Sequence, residues 1–104
     1  MSLYDGEFIN EIKHGKGTMQ WNMGEEMYEG DFDQGERTGK GKFTNKNGDV
    51  YQGDFVKGQW TGKGKYFIAA SKTLYDGQFL KGIMTKGKIT YVDGSMYQGE
   101  IKNW

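Results

Sequence analysis

The chain has 104 residues, at most one ordinary domain, and contains 18 glycines but no proline and no cysteine. Its 14 basic residues balance 14 acidic ones. Zero net charge removes the broad basic field that non-specific nucleic-acid binding needs, so we expect no nucleic-acid partner. Without cysteine, and with His14 as the single histidine, the sequence excludes disulfides, thiolate sites and multi-histidine metal sites. We expect no metal and no cofactor.

The beginning of the chain and its hydropathy bear on its location. The opening MSLYDGEF has no basic segment followed by an apolar stretch, so it is not a secretory signal. No apolar run approaches the roughly 20 residues that a membrane-spanning helix needs. We therefore expect a cytoplasmic chain, either free or peripheral at a membrane or the cytoskeleton.

A short string recurs along the chain, and it accounts for the glycines. It reads YDGEF, YEGDF, YQGDF, YDGQF and, as a fifth partial copy, YQGEI, beginning at Tyr4, Tyr28, Tyr51, Tyr75 and Tyr97. In the first three copies Gly-Lys-Gly follows, and the fourth copy is one residue shorter. We predict one domain over 1–104, with repeats at about 4–27, 28–50, 51–74 and 75–96 and a partial repeat at 97–104. Because no capping repeat is evident, we expect a segment of a larger protein.

Each copy contains two segments of alternating character, which is typical of half-buried strands. In the first copy we predict a hairpin with a six-residue loop at 9–14. Phe8 then lies opposite Gly15, and its ring lies flat over the glycine backbone. The same register places an acid opposite a lysine within each hairpin, predicting the pairs Glu7–Lys16, Asp31–Lys40 and Asp54–Lys63.

Consecutive hairpins joined by polar turns predict an all-β fold. We expect a single elongated, twisted antiparallel sheet of about nine strands and about 40 Å long. Such a sheet has one aromatic face and no second layer. Either the sheet curls around its own aromatic rings, or that face stays partly open.

Two patterns could indicate chemistry, and both have a simpler explanation. The segments GERTGKGK (35–42) and GQWTGKGK (58–65) come close to a phosphate-binding loop, but they lack one spacer residue and have glycine where Ser or Thr should bind Mg²⁺. They are better explained by the repeat. His14 has no serine or cysteine nucleophile near it in the pattern, so we predict an ordinary loop residue and no catalytic residue.

A repeat of about 23 residues that reads YxGxF–xxG–xxxGKG–x–aromatic resembles the MORN repeat (membrane occupation and recognition nexus). The resemblance covers essentially the whole chain. It departs from the pattern at Glu11, which stands where later copies have glycine, at the shortened Gly-Lys-Gly of the fourth copy, and at Ile101 in place of Phe. The family implies an array of β-hairpins with an aromatic-lined groove and no catalysis of its own. Such arrays occur in junctophilins, in cytoskeletal proteins, beside SET-type methyltransferases and at the N-terminus of phosphatidylinositol-4-phosphate 5-kinases.

Three surfaces are candidates for binding. The aromatic face could receive an apolar helix or an extended peptide, although its rings also suit a core; it comprises Tyr4, Phe8, Tyr28, Phe32, Tyr51, Phe55, Tyr75 and Phe79. A lysine stripe could contact anionic lipid headgroups, although pairing with neighbouring acids is the simpler interpretation; it comprises Lys16, Lys40, Lys63 and Lys86. The loop edge is interrupted by the apolar residues Ile12, Trp60 and Met84, which predict a contact surface there.

The resulting hypothesis is a non-enzymatic repeat module for protein docking, scaffolding or self-association through its open sheet edges. The alternative is a membrane- or phosphoinositide-targeting accessory domain of a phosphatidylinositol-4-phosphate 5-kinase-like protein. An enzymatic function has no residue support.

Overall fold

The computed structural model describes residues 2–102 and 104, and these residues form one open antiparallel sheet. Nine strands within them pair in chain order, each with the next. The strands are β1 (Leu3–Ile9), β2 (Ile12–Trp21), β3 (Glu26–Asp33), β4 (Glu36–Thr44), β5 (Val50–Val56), β6 (Gln59–Ile68), β7 (Thr73–Leu80), β8 (Ile83–Thr90) and β9 (Met96–Glu100). A short 3₁₀ turn, Asn22–Gly24, joins β2 to β3. The predicted fold class is confirmed; the predicted partial repeat at 97–104 includes Asn103, which lies outside the described residues.

The hairpins close through two-residue turns and not through the predicted six-residue loop. Both turn residues have positive φ, as in Gln34 (50°) and Gly35 (84°), which is the type I′ geometry that matches the twist of the flanking strands. This geometry explains the glycine that occurs seven residues after the repeat tyrosine in the second, third and fourth repeats. In the first hairpin Glu11 takes that place with φ of 66°, in a conformation that side chains other than glycine, Asn and Asp rarely adopt. The prediction of a loop at 9–14 is wrong because β2 already begins at Ile12.

The predicted register is half right. Tyr4 lies opposite Met19 and Gly6 opposite Gly17, as expected, but a bulge then shifts the pairing so that Phe8 faces Lys13. The extra residues of the second strand include Gly15, whose φ of +69° produces the bulge. Gly15 instead faces the phenylalanine of the next repeat, Phe32.

The bulge also changes the charge pairing. The Glu7 carboxylate accepts a hydrogen bond from the Lys16 backbone N–H at 2.7 Å, so it caps the bulge and does not pair with the ammonium. The Lys16 ammonium instead reaches Asp31 of the next repeat at 2.7 Å, and Lys40 pairs with Asp54 in the same way. The predicted ion pairs within each hairpin are therefore wrong, and the ion pairs observed link one repeat to the next.

The sheet is elongated and curled. Its principal extents are 48 × 25 × 19 Å, and the smallest of them is about twice the roughly 10 Å that separates two stacked sheets. The sequence allowed either a curled sheet or a partly open aromatic face. Tyr28 and Tyr51 have no exposed surface, so the sheet curls around its own aromatic rings.

Candidate docking surface

The repeating tyrosine lies over a pair of glycines. A methyl group built on Gly41 would collide with the Tyr28 ring, and one built on Gly64 would lie 2.5 Å from Cε1 of Tyr51. Each ring is fixed at its far end, since the Tyr28 hydroxyl donates to the Asp31 carbonyl and the Tyr51 hydroxyl to the Asp54 carbonyl, both at 2.9 Å. The ring that lies on the glycine backbone is thus the tyrosine and not, as predicted, the phenylalanine.

Tyrosine and phenylalanine rings alternate in one continuous row along the sheet. Phe32 lies edge-on to Tyr4 at 5.1 Å and to Tyr28 at 5.2 Å. Phe55 lies in the same way between Tyr28, at 5.0 Å, and the tyrosine of its own repeat. Such edge-to-face pairs contribute about 0.5–1.5 kcal/mol each beyond the area that they bury. The row ties each repeat to the next and forms the core of the protein.

The structure places the eight residues of the predicted aromatic face in two groups. Five of them, Tyr28, Phe32, Tyr51, Phe55 and Phe79, are at most 5% exposed. These rings pack against each other, so a partner could make direct contact only with the remaining three residues of the face. Tyr4 and Tyr75 are half-buried, and Phe8 is 56% exposed.

One position of the repeat covers this aromatic row, and it differs in every copy. It lies directly opposite the phenylalanine of its own hairpin and is occupied by Lys13, Arg37, Trp60 and Met84 in turn. Trp60 stacks on Tyr51 at 4.4 Å, and Met84 is fully buried. The predicted apolar loop edge is therefore wrong for Trp60 and Met84, which pack against the core, whereas Ile12 is exposed.

Arg37 is a half-buried cation surrounded by aromatic rings. Its guanidinium carbon lies 5.6–5.8 Å from the ring centres of Trp21, Tyr28, Phe43 and Phe55. One nitrogen, Nη2, donates to the Gly58 carbonyl at 3.0 Å. Burial lowers the pKa of the Arg37 guanidinium from its usual value. The faces of the rings stabilise the charge in part, because they carry negative electrostatic potential.

Beside Arg37 an open concavity of about 390 Å³ lies on the aromatic side of the sheet. We call it the Trp21 pocket; its lining comprises Lys13, Met19, Trp21, Phe32, Gly35, Glu36, Arg37, Lys57 and Gly58. Three cations and one acid surround an apolar floor. This pocket was not predicted from the sequence; the residue that varies at a fixed place in an otherwise regular repeat is the signal that could have indicated it.

The four lysines of the predicted stripe are all exposed, but their partners differ. Lys16 and Lys40 pair with acids of the next strand. In the third repeat the corresponding partner of Lys63 is Gln78, whereas Lys86 of the fourth repeat lies between Gln78 and Glu100. Within the part of the chain that the structure describes, neither Lys63 nor Lys86 makes an ion pair.

The shorter fourth repeat changes the packing around its tyrosine. The methyl carbon of Met84 lies 2.7 Å from where a side chain on Gly87 would begin, a place that a tyrosine ring takes in the first three repeats. Tyr75 packs instead against Tyr66, with ring centres 6.1 Å apart, and against Trp104 at 4.7 Å. A large indole ring therefore fills the aromatic side of the array near its C-terminal end.

The residues that could have indicated catalysis have ordinary surroundings. His14 lies in β2 with Nδ1 3.7 Å from the exposed carboxylate of Asp33. The glycine-rich segments 35–42 and 58–65 fall mostly in strands β4 and β6. Among residues 2–102 and 104, no cluster of acidic and histidine side chains could hold a metal ion, and no helix could span a membrane.

Comparisons with known proteins agree with this geometry. The family model of the MORN repeat matches residues 4–26, 28–50, 51–69 and 75–96, which is more than half of the chain. A relative from Xenopus laevis, MORN repeat-containing protein 3, is 46% identical over 41 residues. That alignment covers 39% of this chain and 17% of the relative, so the chain matches only a small part of that protein. With four matched repeats and the hairpin array that they build, the chain belongs to the MORN repeat family.

Proposed function

We propose that this chain is a non-enzymatic repeat module that docks a protein partner, and that the Trp21 pocket is the contact surface. The observation that carries the proposal is a concave apolar floor with half-buried Trp21 and Arg37 beside an otherwise closed core. Binding sites combine apolar concavity with a few polar groups that fix orientation. In the central repeats the tyrosines, phenylalanines and glycines are engaged in packing, which leaves partner contact there to the residues that vary between repeats.

Site-specific photo-crosslinking tests this proposal. A photoreactive amino acid replaces Lys57 at the rim of the pocket or, as the control, Lys46, which is also exposed and also lies in a turn but does not line the pocket. In an extract of cells that express the protein, the Lys57 derivative should crosslink a distinct protein and the Lys46 derivative should not. Equal crosslinking at both positions would contradict docking in the pocket. A crosslinked dimer of the chain would identify the scaffold as self-associating.

A second candidate function is association with anionic membranes beside a lipid kinase domain. It is favoured by Lys63 and Lys86, which flank the neutral Gln78 where the first three repeats have an acid, although Lys86 also lies opposite Glu100. Each lysine near an anionic membrane contributes about 1 kcal/mol of binding. The double variant Lys63→Met/Lys86→Met should then lose sedimentation with vesicles that contain phosphatidylinositol 4-phosphate. The control variant Lys46→Met/Lys72→Met has the same net charge and alters only the turns, so equal loss in both would refute a specific stripe.

A further inference from the structure

The Trp21 pocket contains a cation without a counter-ion. Among residues 2–102 and 104 the side-chain ion pairs involve His14, Lys16 and Lys40, and none involves Arg37. One hydrogen bond, to the Gly58 carbonyl, is made by a side chain that carries five N–H donors. A guanidinium presents these donors as a planar fork that matches a carboxylate in two parallel hydrogen bonds.

The charges around the pocket have the sign that attracts an acid. Lys13, Arg37 and Lys57 line it together with a single carboxylate, that of Glu36. The Lys13 ammonium lies 5.6 Å from the centre of the Tyr4 ring, so it is held over the aromatic row in the same manner as Arg37. In this partly desolvated setting, an ion pair with a ligand is stronger than one on the open surface.

Elsewhere in the array, large apolar side chains of the chain itself lie on the aromatic row. At the place that Arg37 takes in the second repeat, the third repeat has Trp60, whose indole stacks on Tyr51 with ring planes 3° apart. Near the other end of the array, the Ile101 backbone N–H donates to the Thr85 carbonyl at 2.9 Å, and Ile101 packs against the core. The Trp104 indole from the same part of the chain lies against Tyr75. Ile101 and Trp104, which lie outside the regular strands, thus place an aliphatic and an aromatic side chain on this side of the sheet, as a partner segment would at the Trp21 pocket.

We infer that the Trp21 pocket binds an extended segment of a partner protein in which a large aromatic side chain is flanked by acidic residues. The aromatic ring lies on Trp21 and Met19, and the neighbouring carboxylates pair with Arg37, Lys13 and Lys57. This inference rests on the proposed docking function and specifies the chemistry of the partner. It predicts that tight binding requires both the aromatic and the acidic side chains of the partner segment.

Three short peptides test the inference by nuclear magnetic resonance of the ¹⁵N-labelled protein. They are the acetylated amides of Gly-Asp-Trp-Asp-Gly, Gly-Asn-Trp-Asn-Gly and Gly-Asp-Ala-Asp-Gly. The first should shift the indole N–H signal of Trp21 and the Nε–H signal of Arg37, with an affinity about tenfold higher than that of the asparagine peptide, because a hydrogen bond to a charged group contributes about 1.5 kcal/mol or more. The alanine peptide should bind about as weakly as the asparagine peptide.

Variants assign the effect to the guanidinium. Arg37→Met keeps an apolar stem within the ring cage and should abolish the preference for the acidic peptide, whereas the control Lys46→Met should keep it. Arg37→Lys retains the charge without the planar fork and should keep part of the preference for the acidic peptide. This variant provides a second measurement of the guanidinium's role if Arg37→Met does not fold.

The other outcomes separate this inference from the docking function. Equal affinity for the aspartate and asparagine peptides, with shifts at Trp21, would overturn the acidic specificity and leave docking intact. No shift with any peptide, while the Lys57 photo-crosslinker still captures a partner, would overturn the assigned chemistry alone. Shifts of the same signals with sodium acetate alone, or on concentrating the protein alone, would identify a small carboxylate or a second copy as the occupant and would overturn it too.

Discussion

Replacing a glycine under a tyrosine ring with alanine should lower the free energy of unfolding. The loss should be larger where the ring is held more firmly. In Gly64→Ala the added methyl would lie 2.5–2.6 Å from Cε1 and Cζ of Tyr51, well inside contact distance. The Tyr51 ring has no exposed surface and is fixed by the bond to the Asp54 carbonyl and by stacking on Trp60, so it has no free direction in which to move. Overpacking alone costs about 1–3 kcal/mol. Loss of the hydrogen bond adds about 1 kcal/mol.

The first repeat supplies a matched control for this prediction. Gly17 makes the same contact with Tyr4, at 2.7 Å to Cζ, but the Tyr4 ring is only half-buried and can shift toward solvent. We therefore expect Gly64→Ala to lower the free energy of unfolding by about 3 kcal/mol or more, and Gly17→Ala by about 1 kcal/mol. Urea unfolding followed by tryptophan fluorescence measures both values. Equal losses in the two variants would refute the reasoning that ring confinement sets the effect.

Three further predictions concern a turn, the lysine stripe and pH. Glu11→Gly should raise the free energy of unfolding in urea by about 0.5–1 kcal/mol, because Glu11 has φ of 66° where later repeats have glycine; an unchanged midpoint would show that this turn is unstrained. Gln78→Glu should give Lys63 a partner worth about 0.2–1 kcal/mol and weaken binding to anionic vesicles; stronger vesicle binding would contradict the account of the stripe. Burial raises the pKa of Tyr28 and Tyr51 from 10.0 to about 12, so the unfolded chain ionises first as pH rises. The melting temperature should accordingly hold below pH 10 and fall between pH 10 and 12, and a flat profile across that window would show that the rings are accessible.

The sequence predicted the fold well because the repeat constrains it. The fixed spacing of tyrosine, glycine and phenylalanine defined the strands, their order and the pairing of Gly6 with Gly17. It did not predict the bulge at Gly15, because a glycine that provides a positive φ and a glycine that accommodates a ring have the same letter in a sequence. The bulge moved Phe8 and redirected the ion pair of Lys16 to the next repeat.

The candidate site was harder to predict than the fold. The conspicuous aromatic residues form the core, and their burial depends on the curl of the sheet, which short-range pairing does not define. The pocket beside Arg37 forms because Trp21, Phe43 and Phe55 come from three different strands that meet around one guanidinium. No local pattern in the sequence indicates that these three rings surround the Arg37 guanidinium.

We expect the buried tyrosine row to stabilise the fold and the Trp21 pocket to bind the proposed partner, so that variants should separate the two roles. The most direct test is titration of the Gly-Asp-Trp-Asp-Gly peptide into two variants whose melting temperatures are also measured. Tyr51→Phe, which loses the 2.9 Å bond to the Asp54 carbonyl, should lower the melting temperature and bind the peptide like the parent protein. Arg37→Met should remain folded at the titration temperature and bind about tenfold more weakly. Weaker binding in Tyr51→Phe together with unchanged binding in Arg37→Met would contradict the account.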